Sequence, residues 1–133
     1  MSRGRDERGQ AFLELAIAFP VLTLLLLGAV QFGLWYHAQS VVQAACQDGA
    51  RVGSAEGASV EDGLVRARQI LAGGLGPTGE AVSVQGAADH ERVVFTARGS
   101  LRTIIPWVNQ NSLPLRGEAS VHRERFREGN ALP

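Results

Sequence analysis

The sequence predicts an α+β chain with one long N-terminal helix, a second short helix and a small antiparallel sheet of about three strands. Three observations predict it. Leu15 to Tyr36 carries no charged side chain. Behind Ser59, the apolar residues Val60, Leu64, Ala67 and Leu71 recur at helical spacing. After Gly76-Pro77, short runs alternate apolar with polar residues and are rich in β-branched side chains.

The first helix is long enough to cross a bilayer. Its 22 uncharged residues, Leu15 to Tyr36, would span about 33 Å, and a hydrocarbon core needs roughly 20 apolar residues. Ahead of them, Arg3, Arg5 and Arg8 outnumber Asp6 and Glu7, and no similar cluster follows Tyr36 until Arg51. The positive-inside rule then keeps the N-terminus cytoplasmic and exports the bulk of the chain. Gly4 separates Arg3 from Arg5, so the pair is not a twin-arginine signal. The run exceeds the usual signal-peptide core and no small-x-small cleavage site follows it. The nearest small pair, Gly28-Ala29, is followed by bulky Phe32, Trp35 and Tyr36. Trp35 and Tyr36 read as an interfacial aromatic anchor. The segment 10–38 is therefore expected to be a transmembrane helix.

One carboxylate interrupts the apolar start. Glu14 lies between Phe12-Leu13 and Leu15, five residues after Gly9. A carboxylate costs about 3 kcal/mol at a bilayer centre and less near an interface. Glu14 either snorkels to water at headgroup depth or has a partner. Pro20 removes one helix hydrogen bond and should bend the axis. Gln31 can hydrogen-bond a neighbouring helix or simply sit near the outer interface. Gly28 and Gly33 permit close helix packing, although they do not have the usual dimerisation spacing.

The spine helix should continue through 39–57. Val41, Val42, Ala45, Cys46, Gly49 and Val52 form a narrow face of small side chains, while Gly49, Gly53 and Gly57 weaken the helix by about 1 kcal/mol each relative to alanine. An end between Arg51 and Ala58 is expected. A compact exported α+β unit should occupy 58–133. Ser59-Val60-Glu61-Asp62 approximates a capping box. Val65 and Ile70 flank the apolar face of the second helix, which Gly73-Gly74 should end. Ala81–Gln85, Arg92–Arg98 and Leu115–Arg123 are the strand candidates. In the last, Leu115, Gly117, Ala119 and Val121 alternate with a wet face. Residues 86–91 read as a polar connection. Ser100–Pro114, with Ile104, Ile105, Pro106 and Trp107, reads as a helical turn or apolar loop. The tail from Arg123 reads as mobile.

Several function classes find no support. The 13 Lys and Arg balance 13 Asp and Glu, which implies no polyanion partner and offers no nucleic-acid stripe. His37, His90 and His122 lack metal-ligand spacing, and Cys46 stands alone, either buried or available for an interchain bond. Burial is the favoured expectation. No nucleophile elbow or phosphate loop is present. The chain is expected to be a non-enzyme with no cofactor, metal or small-molecule substrate.

The string Arg8-Gly9-Gln10, followed by Glu14 and the long apolar helix, resembles a prepilin processing site. Residues 8–33, RGQAFLELAIAFPVLTLLLLGAVQFG, are more narrowly similar to the TadE-like minor pilins of tight-adherence (Flp-type) secretion systems. The segment QAACQDGAR resembles the juxtamembrane segment of the same family, and LRGEASVHRERF is similar, more weakly, to its closing strand. The resemblance implies a type IV pilin-like fold, with 1–9 as a leader that a prepilin peptidase removes between Gly9 and Gln10. It implies pairing of Glu14 with the new amine on a neighbouring pilin or pseudopilin subunit. Gln10 departs from the phenylalanine of type IVa pilins, which bears on N-methylation more than on cleavage. The implied product is a single-pass membrane protein that is released into a pilus or needed to initiate one. The other reading is an anchored protein that keeps its leader and binds a cell-envelope partner through its exported domain.

Overall fold

The computed structural model describes residues 3–105 and 112–123. Helix α1 spans Arg3–Ser54, α2 Val60–Leu75 and the single turn α3 Pro77–Glu80. Strands β1 (Ser83–Ala88), β2 (Arg92–Leu101) and β3 (Leu113–His122) form one antiparallel sheet in the order β1-β2-β3. The fold is the expected α+β arrangement.

The 52 residues of α1 extend about 78 Å as a helix. Pro20 lies inside this helix without ending it. The hydroxyl of Thr23 donates to the Phe19 carbonyl at 2.8 Å, and that of Ser40 to the Tyr36 carbonyl at 2.9 Å. In effect α1 has two halves. Residues 8–30 carry exposed side chains apart from half-buried Leu27. From Gln31 onward the helix packs against α2, β2 and β3.

The core lies beneath the sheet. Ala38, Val42, Ala45, Cys46 and Ala50 of α1 meet Ala67 and Leu71 of α2, Val93, Phe95 and Ala97 of β2, and Leu115 of β3. Small side chains allow close approach, and Phe95 fills the space they leave. A methyl group added at Gly53 would come within 3.3 Å of the Phe95 ring, at Gly63 within 2.6 Å and at Gly86 within 3.0 Å. Gly49 adjoins both the ring and the Gly63 carbonyl. The backbones of α1 and α2 thus touch where they cross, with the phenyl ring wedged beside them. Gly49 and Gly53, which weaken the helix locally, also admit this ring.

Helix α2 starts as the sequence indicates. The Ser59 hydroxyl accepts from the Asp62 amide, and the Ser59 amide donates to the Asp62 carboxylate at 2.8 Å. Its other end differs from expectation. The helix runs through Gly73-Gly74, and Gly76, with φ of 55°, provides the stop. Gly74 packs against Val41, so its missing side chain serves close packing. Val65 is 47% exposed, off the buried face.

The strand ends shift: β1 starts two residues later than expected and takes in 86–88, β2 runs on to Leu101, and β3 starts at Leu113 and ends at His122. β1 begins at Ser83 because Ala81 and Val82 complete the turn after α3, and it runs to Ala88. The link to β2 is tight, with the Asp89 amide donating to the Arg92 carbonyl at 2.8 Å. β3 includes Pro114, which faces the free side of an edge strand where no ladder amide is needed. Pro106, Trp107 and the tail beyond Arg123 lie outside the described residues, as do the expectations placed on them.

Candidate functional site on the exposed helix

The first half of α1 is a bare apolar rod. Phe12, Leu15, Ile17, Phe19 and Leu25 are each more than 60% exposed. Contiguous apolar patches of this size on soluble monomers mark surfaces meant for another phase or another protein. Among the described residues this is the one helix long and apolar enough to cross a membrane. Gly9, Gln10 and Glu14 lie on it in the open, with Glu14 inside the apolar face. A side chain at Gly9, Gly28 or Gly33 would meet nothing within 4 Å. The chain thus brings no residue of its own to these positions.

Closer to the folded body, the predicted residues divide. Tyr36 is 63% exposed, whereas Trp35 packs against the core. The Trp35 indole donates to the Pro114 carbonyl at 3.2 Å. Gln31 is only 7% exposed. Its side-chain oxygen accepts from the Ile104 amide at 2.8 Å, while its side-chain nitrogen is buried without a partner. Gln31 therefore bonds to its own chain beside the sheet.

Sequence reasoning missed Gln39 and Gln43. The Gln39 side chain bonds both to the Arg116 carbonyl and to its amide. Gln43 repeats the arrangement one turn later, donating to the Glu118 carbonyl at 2.8 Å and accepting from the Glu118 amide at 3.3 Å. A primary amide carries both a donor and an acceptor, so each glutamine stands in for a residue of a fourth strand. Trp35 completes the series. Its indole can only donate, and Pro114 offers only a carbonyl. The signal was present as the four-residue spacing of Trp35, Gln39, Gln43 and Gln47. Gln47 makes no such bond among the described residues, and a shallow hollow of about 290 Å³ opens between it, Arg51 and Ser120.

Electrostatics add little chemistry. Burial raises the Cys46 thiol from 9.0 to about 11, opposed by a backbone hydrogen bond at Ala97 and aided by the Glu118 carboxylate. The thiol is buried and free. No cluster of three metal-ligating side chains exists among the described residues.

No curated protein and no solved structure matches the chain. Residues 9–51 match the family described as TadE-like protein, a similarity that starts at the glycine before Gln10 and covers both the bare and the docked halves of the spine.

Proposed function

We propose that this chain is a minor pilin or pseudopilin of a tight-adherence (Flp-type) pilus, made as a membrane-anchored precursor with its small α+β body exported. A prepilin peptidase removes residues 1–9, and the mature subunit enters the filament or initiates it. The observation that carries this reading is the bare apolar half of α1, which projects from a packed body and bears Glu14 near its start. Lipid covers such a rod before assembly, and the helices of neighbouring subunits cover it afterwards. Cleavage after Gly9 would create an α-amine with an ordinary pKa near 8. Pairing that cation with Glu14 of a neighbour relieves the cost of a lone carboxylate in an apolar phase and fixes axial register. Such pairs specify geometry better than they stabilise. On this reading the chain is a substrate of a peptidase and not itself an enzyme.

N-terminal sequencing of the protein from cells containing the peptidase tests the proposal. Gln10 should be the first residue. An intact leader would instead favour a permanently anchored protein that binds an envelope partner. Gly9 stands in open space, so Gly9→Trp should block processing without disturbing the folded body. Glu14→Ala should insert normally and lose incorporation into filaments.

A further inference from the structure

We propose that the outer face of the sheet, at the end where α1 leaves the folded body, binds anionic lipid headgroups through Arg98 and Arg116, with Arg102 just beyond the end of β2 adding a third cation. The inference rests on the membrane-anchored reading above.

Height along the spine comes from the side-chain bonds of α1. Trp35, Gln39 and Gln43 bond to Pro114, Arg116 and Glu118 in turn. Four helical residues rise about 6 Å and two strand residues about 6.7 Å, so α1 and β3 advance in step. A residue's row in the sheet therefore gives its level along α1. Pro114 and its partner Ser100 share the level of Trp35. Arg116 and its partner Arg98 lie one row further from the bare rod. Gln31 holds the Ile104 amide, which sets Arg102 between the levels of Gln31 and Trp35. With the uncharged run ending at Tyr36, these levels coincide with the headgroup layer.

The charges at these levels lack internal partners. Arg98, Arg102 and Arg116 are exposed, and none lies within ion-pairing distance of a carboxylate among the described residues. By contrast Arg66 pairs with Asp48 at 2.9 Å and Arg68 approaches Glu61 at 4.0 Å. Arg98 and Arg116 sit directly opposite each other on neighbouring strands, an arrangement of like charges that costs stability unless an anion lies between them. A polar hollow of about 170 Å³, lined by Ser83, Gln85, Thr96 and Arg98, adjoins the pair. Guanidinium forks match phosphate oxygens, and hydroxyls beside them add donors. Glu118 lies one row further out, and Glu80 belongs to α3, which packs on α2. The next row holds Ala87, Val94 and Ser120, so the cations cluster toward the rod, with Arg92 beside His122 at the far margin.

The test uses the full chain reconstituted in vesicles, carrying Cys46→Ala and a donor dye on Ser100→Cys, with an acceptor dye on lipid headgroups. Energy transfer should be stronger in phosphatidylcholine mixed with phosphatidylglycerol than in phosphatidylcholine alone. High salt should erase the difference. Each arginine near an anionic surface contributes roughly a factor of five, so Arg98→Gln with Arg116→Gln should remove more than tenfold of the lipid preference. Arg92→Gln at the far margin should leave it unchanged. Equal transfer in both lipids, salt-independent transfer, or an equal loss from Arg92→Gln would overturn the proposal. Alkaline carbonate washing separates the two levels of failure. Release of the chain from the vesicles would sink the anchoring and the headgroup site together. Retention with lipid-independent transfer would sink the headgroup site alone.

Discussion

At the scale of single residues, Phe95 and the glycines around it explain why the core works with so few large side chains. Gly63→Ala would drive a methyl into the Phe95 ring and the α1 backbone, and overpacking of this kind costs about 1–3 kcal/mol. Gly73→Ala in the same helix meets nothing within 4 Å and should stabilise by up to about 1 kcal/mol. Denaturant unfolding of the two variants in detergent should move in opposite directions. Cys46 gives a second prediction. Its thiol titrates near 11 when folded and near 9.0 when unfolded, so the folded state favours the neutral form. That contribution is complete below pH 9 and is lost as the pH rises toward 11 and beyond. The folded protein should resist alkylation at neutral pH and react once unfolded, with stability falling across the same alkaline window. Gly49 and Gly53 were legible in the sequence only as helix weakeners, because nothing local shows that a ring at position 95 will arrive through space. Burial of Cys46 was legible, since its neighbours Val42, Ala45 and Gly49 share one small-residue face.

At the scale of elements, the sheet edge is closed by side chains of a helix. An open edge strand invites pairing with other chains. Gln39 and Gln43 occupy the outward amides and carbonyls of Arg116 and Glu118, which blunts β3 without a fourth strand. Gln43→Ala removes two hydrogen bonds and should cost about 1–3 kcal/mol. Hydrogen exchange should then speed up at the Glu118 amide and not at Leu115, which lies on the side facing β2. Loss of protection at both sites together would mean that the whole strand had come loose. Ser59→Ala offers a companion test, with about 1 kcal/mol expected from the lost cap. The Asp62 carboxyl is held below its ordinary value by the Ser59 hydroxyl and amide. Its contribution is present above pH 3.8 and fades as the pH falls through the lowered value. Element order and the cap were legible from periodicity and capping chemistry. The end of α2 was not, because Gly74 is tolerated inside the helix by packing against Val41, and the start of β1 was not, because Ala81 and Val82 complete the turn after α3. The glutamine series was visible as a spacing, yet its role depended on a strand 75 to 77 residues away.

At the scale of the whole molecule, the folded body and the apolar rod are separable in energetic terms. Core burial begins at Ala38, and Gln31 and Trp35 are the first residues to bond with the sheet region. A chain starting at Gln31 should therefore stay soluble without detergent and unfold cooperatively, as read by circular dichroism during heating. Aggregation or non-cooperative melting would show that the body needs the rod. The rod itself was the most legible part of the sequence, since length and the absence of charge suffice to define it. The arginines of the outer sheet face were hidden by a net charge of zero, which averages over the very asymmetry that matters locally.

The unbroken course of α1 has a rotational consequence. From Glu14 to Gln39 the helix advances 25 residues, which at 100° each returns to within about 20° of the starting direction. The acid near one end and the sheet edge near the other thus share one side of the spine. Should Glu14 pair with a neighbour as proposed, the azimuth of the sheet about the long axis would be decided at the same moment. Inserting one residue between Val21 and Val30 would swing the sheet through about 100° relative to Glu14, leaving each half intact.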